Sequence, residues 1–393
     1  MRQASLRFTV GLAMLIVGLS PASASLRLIG VTPVPQDAAG SNLPVGGLSG
    51  VDYDPASGTW FLISDDKSEH GPARYWQAAI RISASTPPKI FKLRTIPIRR
   101  TNGGYYPGPG SGEESLDSES LRTVPRSRSI IWTSEGDARD GFGPAIRTMS
   151  FSGRLSETLP LPRVFSIDRT QSKGPRANLS FEGLSFEPGG KHLWVSLEAP
   201  LIEDGPLVGR DSGAAIRLSR FTYPRFSLAA QFAYAVEPIG PAPQDRLADN
   251  GVSEIVALDS KHLLVLERSG IQQPDGDFAF RSRLFCADLT DAQNVADIGS
   301  LRDQTVRAAT KRLVFDFGSV SSPRFDNVEG MTLGPRLSNG NRTIVFVTDN
   351  DFSPRRQTQL IAFEIIPDHK RTRLTETLCQ TPSVVQTSVS SNH

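Results

Sequence analysis

Acidic residues recur at matched places along this chain, and their number and spacing point to cation chemistry. Four glutamates open a repeated pattern, Glu119, Glu182, Glu254 and Glu329, and Ser49 stands at that place in a first copy. Asp65, Glu135, Glu198, Glu267 and Asp349 close it. The openers are 70, 63, 72 and 75 residues apart, and the closing acids follow by 16, 16, 16, 13 and 20 residues. Carboxylates gathered in that number repel and raise one another's pKa until a cation compensates. An all-oxygen donor set suits Ca2+ best, or another divalent cation such as Mg2+ with part of its water retained. The expected ligands are Glu182, Glu198, Glu254, Glu267, Glu329 and Asp349, with Glu182, Glu254, Glu329 and Glu119 innermost. The competing reading is architectural. The acids would then cap backbone N–H groups or pair with flanking cations such as Lys67, Arg74, Arg139 and Arg355.

Other chemistries have less to stand on. The chain has no H-E-x-x-H, so a zinc hydrolase is not indicated. Gly47-Leu48-Ser49-Gly50-Val51 departs from G-x-S-x-G at its last position, and no strand–turn–helix setting surrounds it. His192 and His262 share one turn position in two copies, on the face away from the acids. His70 is the histidine near the acidic end and reads as an exposed loop residue.

Each pair of acids needs a hairpin to hold it. Glu182-Gly183-Leu184-Ser185-Phe186 alternates like a strand, Pro188-Gly189-Gly190-Lys191 turns, and Leu193–Leu197 returns. In an antiparallel pair the start of one strand lies beside the end of the next. Glu182 and Glu198 therefore share the end opposite the turn. Recurrence of this plan marks a repeat protein. A third strand candidate follows every hairpin (78–83, 146–151, 215–221, 283–289, 359–366), and a fourth follows most of them. Four antiparallel strands per unit is the plan of a propeller blade. The expected fold is an all-β propeller of five four-stranded blades, or six if another lies within Asp291–Val320. The last unit has three strands of its own. Leu26–Val31, which belongs to no hairpin, would supply the fourth and close the ring. First strands line the channel, so the acids would ring one mouth. Asn102–Gly112, Leu201–Gly213, Pro238–Gly251 and Gly270–Phe278 read as long loops.

The start of the chain reads as a signal peptide over residues 1–24. Arg2 and Arg7 precede an apolar run, Val10–Leu19, and Ala22-Ser23-Ala24 fits a cleavage site. A periplasmic or secreted location follows. Removing those two arginines leaves 41 basic residues against 41 acidic ones. No basic field remains for nucleic acid or an anionic membrane, and no later run spans a bilayer. The expected domain covers 25–378, and a Ser/Thr-rich tail, 379–393, reads as disordered. Cys286 and Cys379 are the only cysteines; export permits a bridge, and a buried free thiol fits equally. A monomer is expected.

The openings LSGVDYDP, FEGLSFEP and VEGMTLGP resemble those of the bacterial phytase-like proteins, described as having esterase-like activity of the phytase type. The resemblance spans Leu43–Pro367. It implies a β-propeller, an exported phosphoesterase and calcium as the cation. On that reading a small-molecule phosphate ester is the substrate, the ion activates water, and Arg176 and Arg268 contact the phosphate. The second reading is a non-catalytic binding propeller whose carboxylate ring is structural.

Overall fold

Unbroken apolar runs in the second strands set the architecture. Every side chain of Trp60-Phe61-Leu62-Ile63 is buried. A strand with one wet face would alternate; a run means that both faces are covered. A computed structural model, which describes residues 26–167, 170, 172–367 and 373–380, shows what covers them. Strand β1 (Leu26–Pro33) comes first in the chain. Blade 1 is β2 (Leu48–Asp54), β3 (Thr59–Ser64), β4 (Arg74–Arg81) and β5 (Lys89–Pro97). Blade 2 is β6 (Ser118–Thr123), β7 (Ser129–Ser134), β8 (Ala145–Ser150) and β9 (Leu155–Thr158). Blade 3 is β10 (Phe181–Phe186), β11 (His192–Leu197), β12 (Ala214–Thr222) and β13 (Leu228–Val236). Blade 4 is β14 (Ala248–Ala257), β15 (His262–Gln272), β16 (Phe278–Asp288) and β17 (Thr310–Asp316). Blade 5 is β18 (Asn327–Arg336), β19 (Arg342–Asp349), β20 (Gln359–Ile365) and β1. The result is a five-bladed β-propeller. Its inner strands β2, β6, β10, β14 and β18 pack side by side around the channel.

The core lies between blades, because strand side chains alternate with period two. Trp60 and Leu62 face blade 5, whereas Phe61 and Ile63 face blade 2. Leu263 and Val265 face blade 3, whereas Leu264 and Leu266 face blade 5. One apolar layer of this kind separates each adjacent pair of blades. Each large side chain fully buried there contributes about 1.5–3 kcal/mol.

The N-terminal strand closes the ring as expected: β1 pairs antiparallel with β20 from Leu26↔Ile365 to Pro33↔Gln359. No sixth blade forms among the described residues. β17 is the fourth strand of blade 4, and the segment before it docks on blade 3, with Val295 and Ala309 donating to the carbonyls of Gln231 and Ala233. Two expected loops are partly strand. The pairs from Ala248↔Ile271 to Asn250↔Ser269 extend the β14–β15 hairpin past the acidic end. The expected signal peptide and the chain beyond Gln380 lie outside the described residues. Among those residues no helix is long and apolar enough to cross a membrane.

A short helix, α1 (Leu374–Cys379), ends the described chain. Cys379 is bonded to Cys286 of β16, 93 residues away, and Leu378 is buried in the layer between blades 4 and 5. Restricting so long a loop in the unfolded chain favours the folded one. Cys379→Ser is expected to lower unfolding stability by about 2–4 kcal/mol, read from denaturant midpoints without reductant. An unchanged midpoint would mean that the bridge carries no stability.

Candidate metal centre at one mouth of the channel

Each inner strand carries a β-bulge where the acid motif begins. The pairing skips between Leu48 and Gly50, Ser118 and Leu121, Phe181 and Leu184, Val252 and Glu254, and Val328 and Gly330. A bulge adds an unpaired residue and re-aims its side chain. The extra residue is Ser49 in blade 1 and Glu329 in blade 5; Glu119 and Glu182 fall within the bulges of blades 2 and 3. The glycine that follows is steric. A Cβ would lie 2.7 Å from the Glu119 carbonyl oxygen at Gly50, 2.6 Å from the Ile255 nitrogen at Gly183, and 2.9 Å from the Ser49 carbonyl oxygen at Gly330. The E-G pair thus records how closely neighbouring inner strands approach.

Blade 4 is out of step with the acid pattern. Its bulge residue is Ser253, and Glu254 stands where the other blades have Gly50, Ser120, Gly183 and Gly330. At the other strand Glu267 pairs with Val252, so Arg268 takes the closing position. The 13-residue interval is the trace of this shift; from Ser253 to Arg268 it is 268 − 253 = 15 residues.

Two expected ligands therefore face elsewhere. Glu254 is fully buried inside the channel. It accepts from Ser120 Oγ (2.8 Å), Leu184 N (3.0 Å) and Ile255 N (2.9 Å), and pairs with Arg122 at 3.0 Å. Arg122 donates to the carbonyls of Val51, Leu121, Ile255 and Met331, which belong to four blades. The two side chains plug the channel. Glu267 points between blades 3 and 4, where it accepts from Tyr234 Oη (2.7 Å), Glu237 N (3.1 Å) and Lys311 Nζ (2.7 Å). Arg176 is held by the carbonyls of Pro200 (3.0 Å) and Gly205 (2.7 Å), so it staples a loop.

The remaining expected acids do meet. Asp65, Glu329 and Asp349 form one cluster, Asp117, Glu119 and Glu135 a second, and Glu135, Glu182 and Glu198 a third; in each, ligand oxygens lie within 4.8 Å of one another. These are eight carboxylates, since Glu135 is shared. The repeat pattern does not single out Asp117, although it lies two residues before Glu119, the spacing that puts strand side chains on one face. Among the described residues two cations pair with the ring. Lys67 Nζ is 2.7 Å from Asp117, and Arg268 lies 3.5 Å from Glu198 and 3.4 Å from Glu329. Gly47, at φ +59°, leaves room for Asp65; a Cβ there would sit 2.2 Å from its Oδ1.

The electrostatics follow from burial and crowding. Burial, then the charges of neighbouring acids, push Asp65, Glu119, Glu135, Glu182 and Asp349 well above the usual carboxylate range. Glu198 is pushed up to about 7 by burial, against the pull of Arg268. Burial acts to lower Lys67, yet Asp117, Glu119 and Glu135 together raise it. Among the described residues no donor hydrogen-bonds the Glu182 carboxylate, although Thr133 Oγ1 donates to its backbone carbonyl at 3.0 Å. Asn327 donates to Glu329 Oε1 at 2.8 Å while its own Oδ1 is buried without a partner. Crowded carboxylates and an unmet amide oxygen fit a hard divalent cation.

A pH dependence of the metal-free protein follows. A carboxyl whose folded pKa is raised supports folding fully below its unfolded pKa, near 4.3, and loses that support as pH rises through the folded value. Asp316 and Glu364 are shifted down, so they act oppositely and only in more acid solution. Stability without metal is expected to peak at about pH 4 and to fall towards pH 7, the region of Glu198. Thermal unfolding in chelator across that range checks it; stability that rises up to pH 7 would contradict the crowding.

Fold and site together define a five-bladed propeller with a polycarboxylate mouth able to hold a metal ion. The chain belongs to the phytase-like family, described as esterase-like activity of phytase, whose model matches residues 43–352. The resemblance read from the hairpin openings is thereby borne out. No curated protein matches the chain. Among solved structures it is similar to the catalytic domain of the GH62 α-L-arabinofuranosidase of Coprinopsis cinerea, with 10% identity and a TM-score of 0.40 over 88% of this chain and 98% of that one. It is also similar to the fructofuranosidase of Schwanniomyces occidentalis, with 12% identity and a TM-score of 0.39 over 88% and 65%.

Proposed function

We propose that the protein is an exported phosphoesterase that acts on a small phosphate ester at the acidic mouth with a divalent cation, Ca2+ foremost. The observation that carries this is the ring itself: eight crowded carboxylates whose ion-pair partners among the described residues are Lys67 and Arg268 alone. Asp117, Glu119, Glu135, Glu182 and Glu198 would hold the ion, and Asp65, Glu329 and Asp349 offer a second place. When bound, such a cation polarises phosphoryl oxygens and acidifies water.

The chain's own groups supply the rest. A pocket of about 400 Å3 opens beside the ring, with Asp65, Lys67, His70, Arg139 and Phe352 in its wall. Lys67 and Arg139 would orient and neutralise an anionic phosphate there. This role passes to them from Arg176, which is committed to its loop. His70 stacks on Phe352 with ring centroids 4.1 Å apart and serves as wall. Export is favoured by the Cys286–Cys379 bond, since such bonds persist in oxidising compartments.

The test is phosphate release from a chromogenic phosphate monoester after chelation, with Ca2+, Mg2+ or Mn2+ then added back. Loss with chelator and recovery with a cation are expected. No release with any of them, and no heat on Ca2+ titration, would leave the non-catalytic binding propeller.

A further inference from the structure

The opposite mouth of the channel has the reverse charge. A cavity of about 1460 Å3 opens there, walled by Asp52, Thr123, Ser185, Ala257 and Thr332, one from each inner strand. Three consecutive blades, 5, 1 and 2, line it with arginines: Arg336 and Arg342, then Arg94, then Arg126 and Arg128. No ion pair joins any of these five to a carboxylate among the described residues. The acids in the same cavity are engaged elsewhere. Asp52 accepts from Thr123 N (2.8 Å) and Thr332 Oγ1 (3.1 Å), and Asp54 from Ala56 N (3.0 Å). Glu187 is held by Arg220 at 2.6 Å, and Asp259 by His262 at 3.0 Å. Burial, together with the charge of Arg336, lowers the pKa of Arg342, as expected for cations that face each other without an anion. The Arg122–Glu254 plug stands between this cavity and the acidic ring.

We propose that this basic funnel is a second binding site, separate from the acidic mouth, for a small polyanion bearing several phosphate- or sulfate-type groups. Guanidinium forks match tetrahedral oxyanions bidentately. An arc of five arginines over three blades suits several such groups on one ligand. The chain as a whole is close to neutral, with 43 basic and 41 acidic residues, so the attraction comes from segregated charge rather than from an excess.

Sucrose octasulfate, which a phosphoesterase cannot hydrolyse, is a suitable probe for calorimetry on the intact protein. Wild type is expected to bind it, more weakly as salt rises. Arg94→Gln and Arg336→Gln, both at exposed positions, should each weaken binding by about tenfold, and the double variant should abolish it. Thermal unfolding checks that they fold. If either does not, Arg128→Gln takes its place with the same expectation. Glu182→Gln, at the other mouth, should leave the affinity unchanged. No binding by wild type, equal binding by the arginine variants, or a loss confined to Glu182→Gln would overturn the proposal. Because hydrolysis is not read, the result is independent of the phosphoesterase assignment.

Discussion

Glu182→Gln is expected to weaken Ca2+ binding about 100-fold or more and to make the metal-free protein more stable than wild type. The opposed signs follow from the surroundings of this side chain. Glu182 sits among Glu119, Glu135 and Glu198, and burial with their charges pushes its pKa well up. Among the described residues no N–H or O–H donates to its carboxylate, so a neutral amide of the same size breaks no hydrogen bond. It removes one repelling charge and one ligand oxygen. Phosphate release should fall in parallel with cation affinity. Calorimetric Ca2+ titration and thermal unfolding in chelator give the two readouts. Lower metal-free stability with unchanged Ca2+ affinity would mark Glu182 as an architectural carboxylate and remove the basis for a cation site.

Arg122→Met is expected to cost about 3–5 kcal/mol of unfolding stability, the scale for breaking a buried ion pair from one side. Arg122 is 5% exposed and ties carbonyls of four blades to one guanidinium. Methionine leaves those carbonyls and Glu254 unmet in the channel. Glu254, already pushed up to about 7 by burial against the pull of Arg122, would rise further. Its protonation should shrink the deficit as pH falls towards 5. Adding Glu254→Met should recover much of the loss, since apolar groups of similar volume often replace a buried pair at little cost. Denaturant unfolding of the single and double variants measures both effects. A single variant within about 1 kcal/mol of wild type would mean that the plug is not a structural keystone.

Much of the fold is written locally. Turn residues between strand-forming runs mark a hairpin wherever they occur, so the five hairpins, their acidic ends and the unpaired strand Leu26–Val31 are legible in the residues alone. The cluster formed by Asp65, Glu329 and Asp349 is legible for the same reason. Glu254 and Glu267 are not, although they look like the others. Their orientation depends on which residue of β14 bulges, and a one-residue change of register turns a side chain to the other face. Composition does not record that choice; pairing against β15 makes it. Arg268 is visible as a cation, but its place within the carboxylate ring requires the same register. The bond between Cys286 and Cys379 requires α1 to return to β16. The second, basic mouth requires Arg94, Arg126 and Arg336, distant in the chain, to be brought together by ring closure. Short-range stereochemistry is thus encoded residue by residue. Register and circular packing arise from the sum of all five blades, and they decide which charges meet.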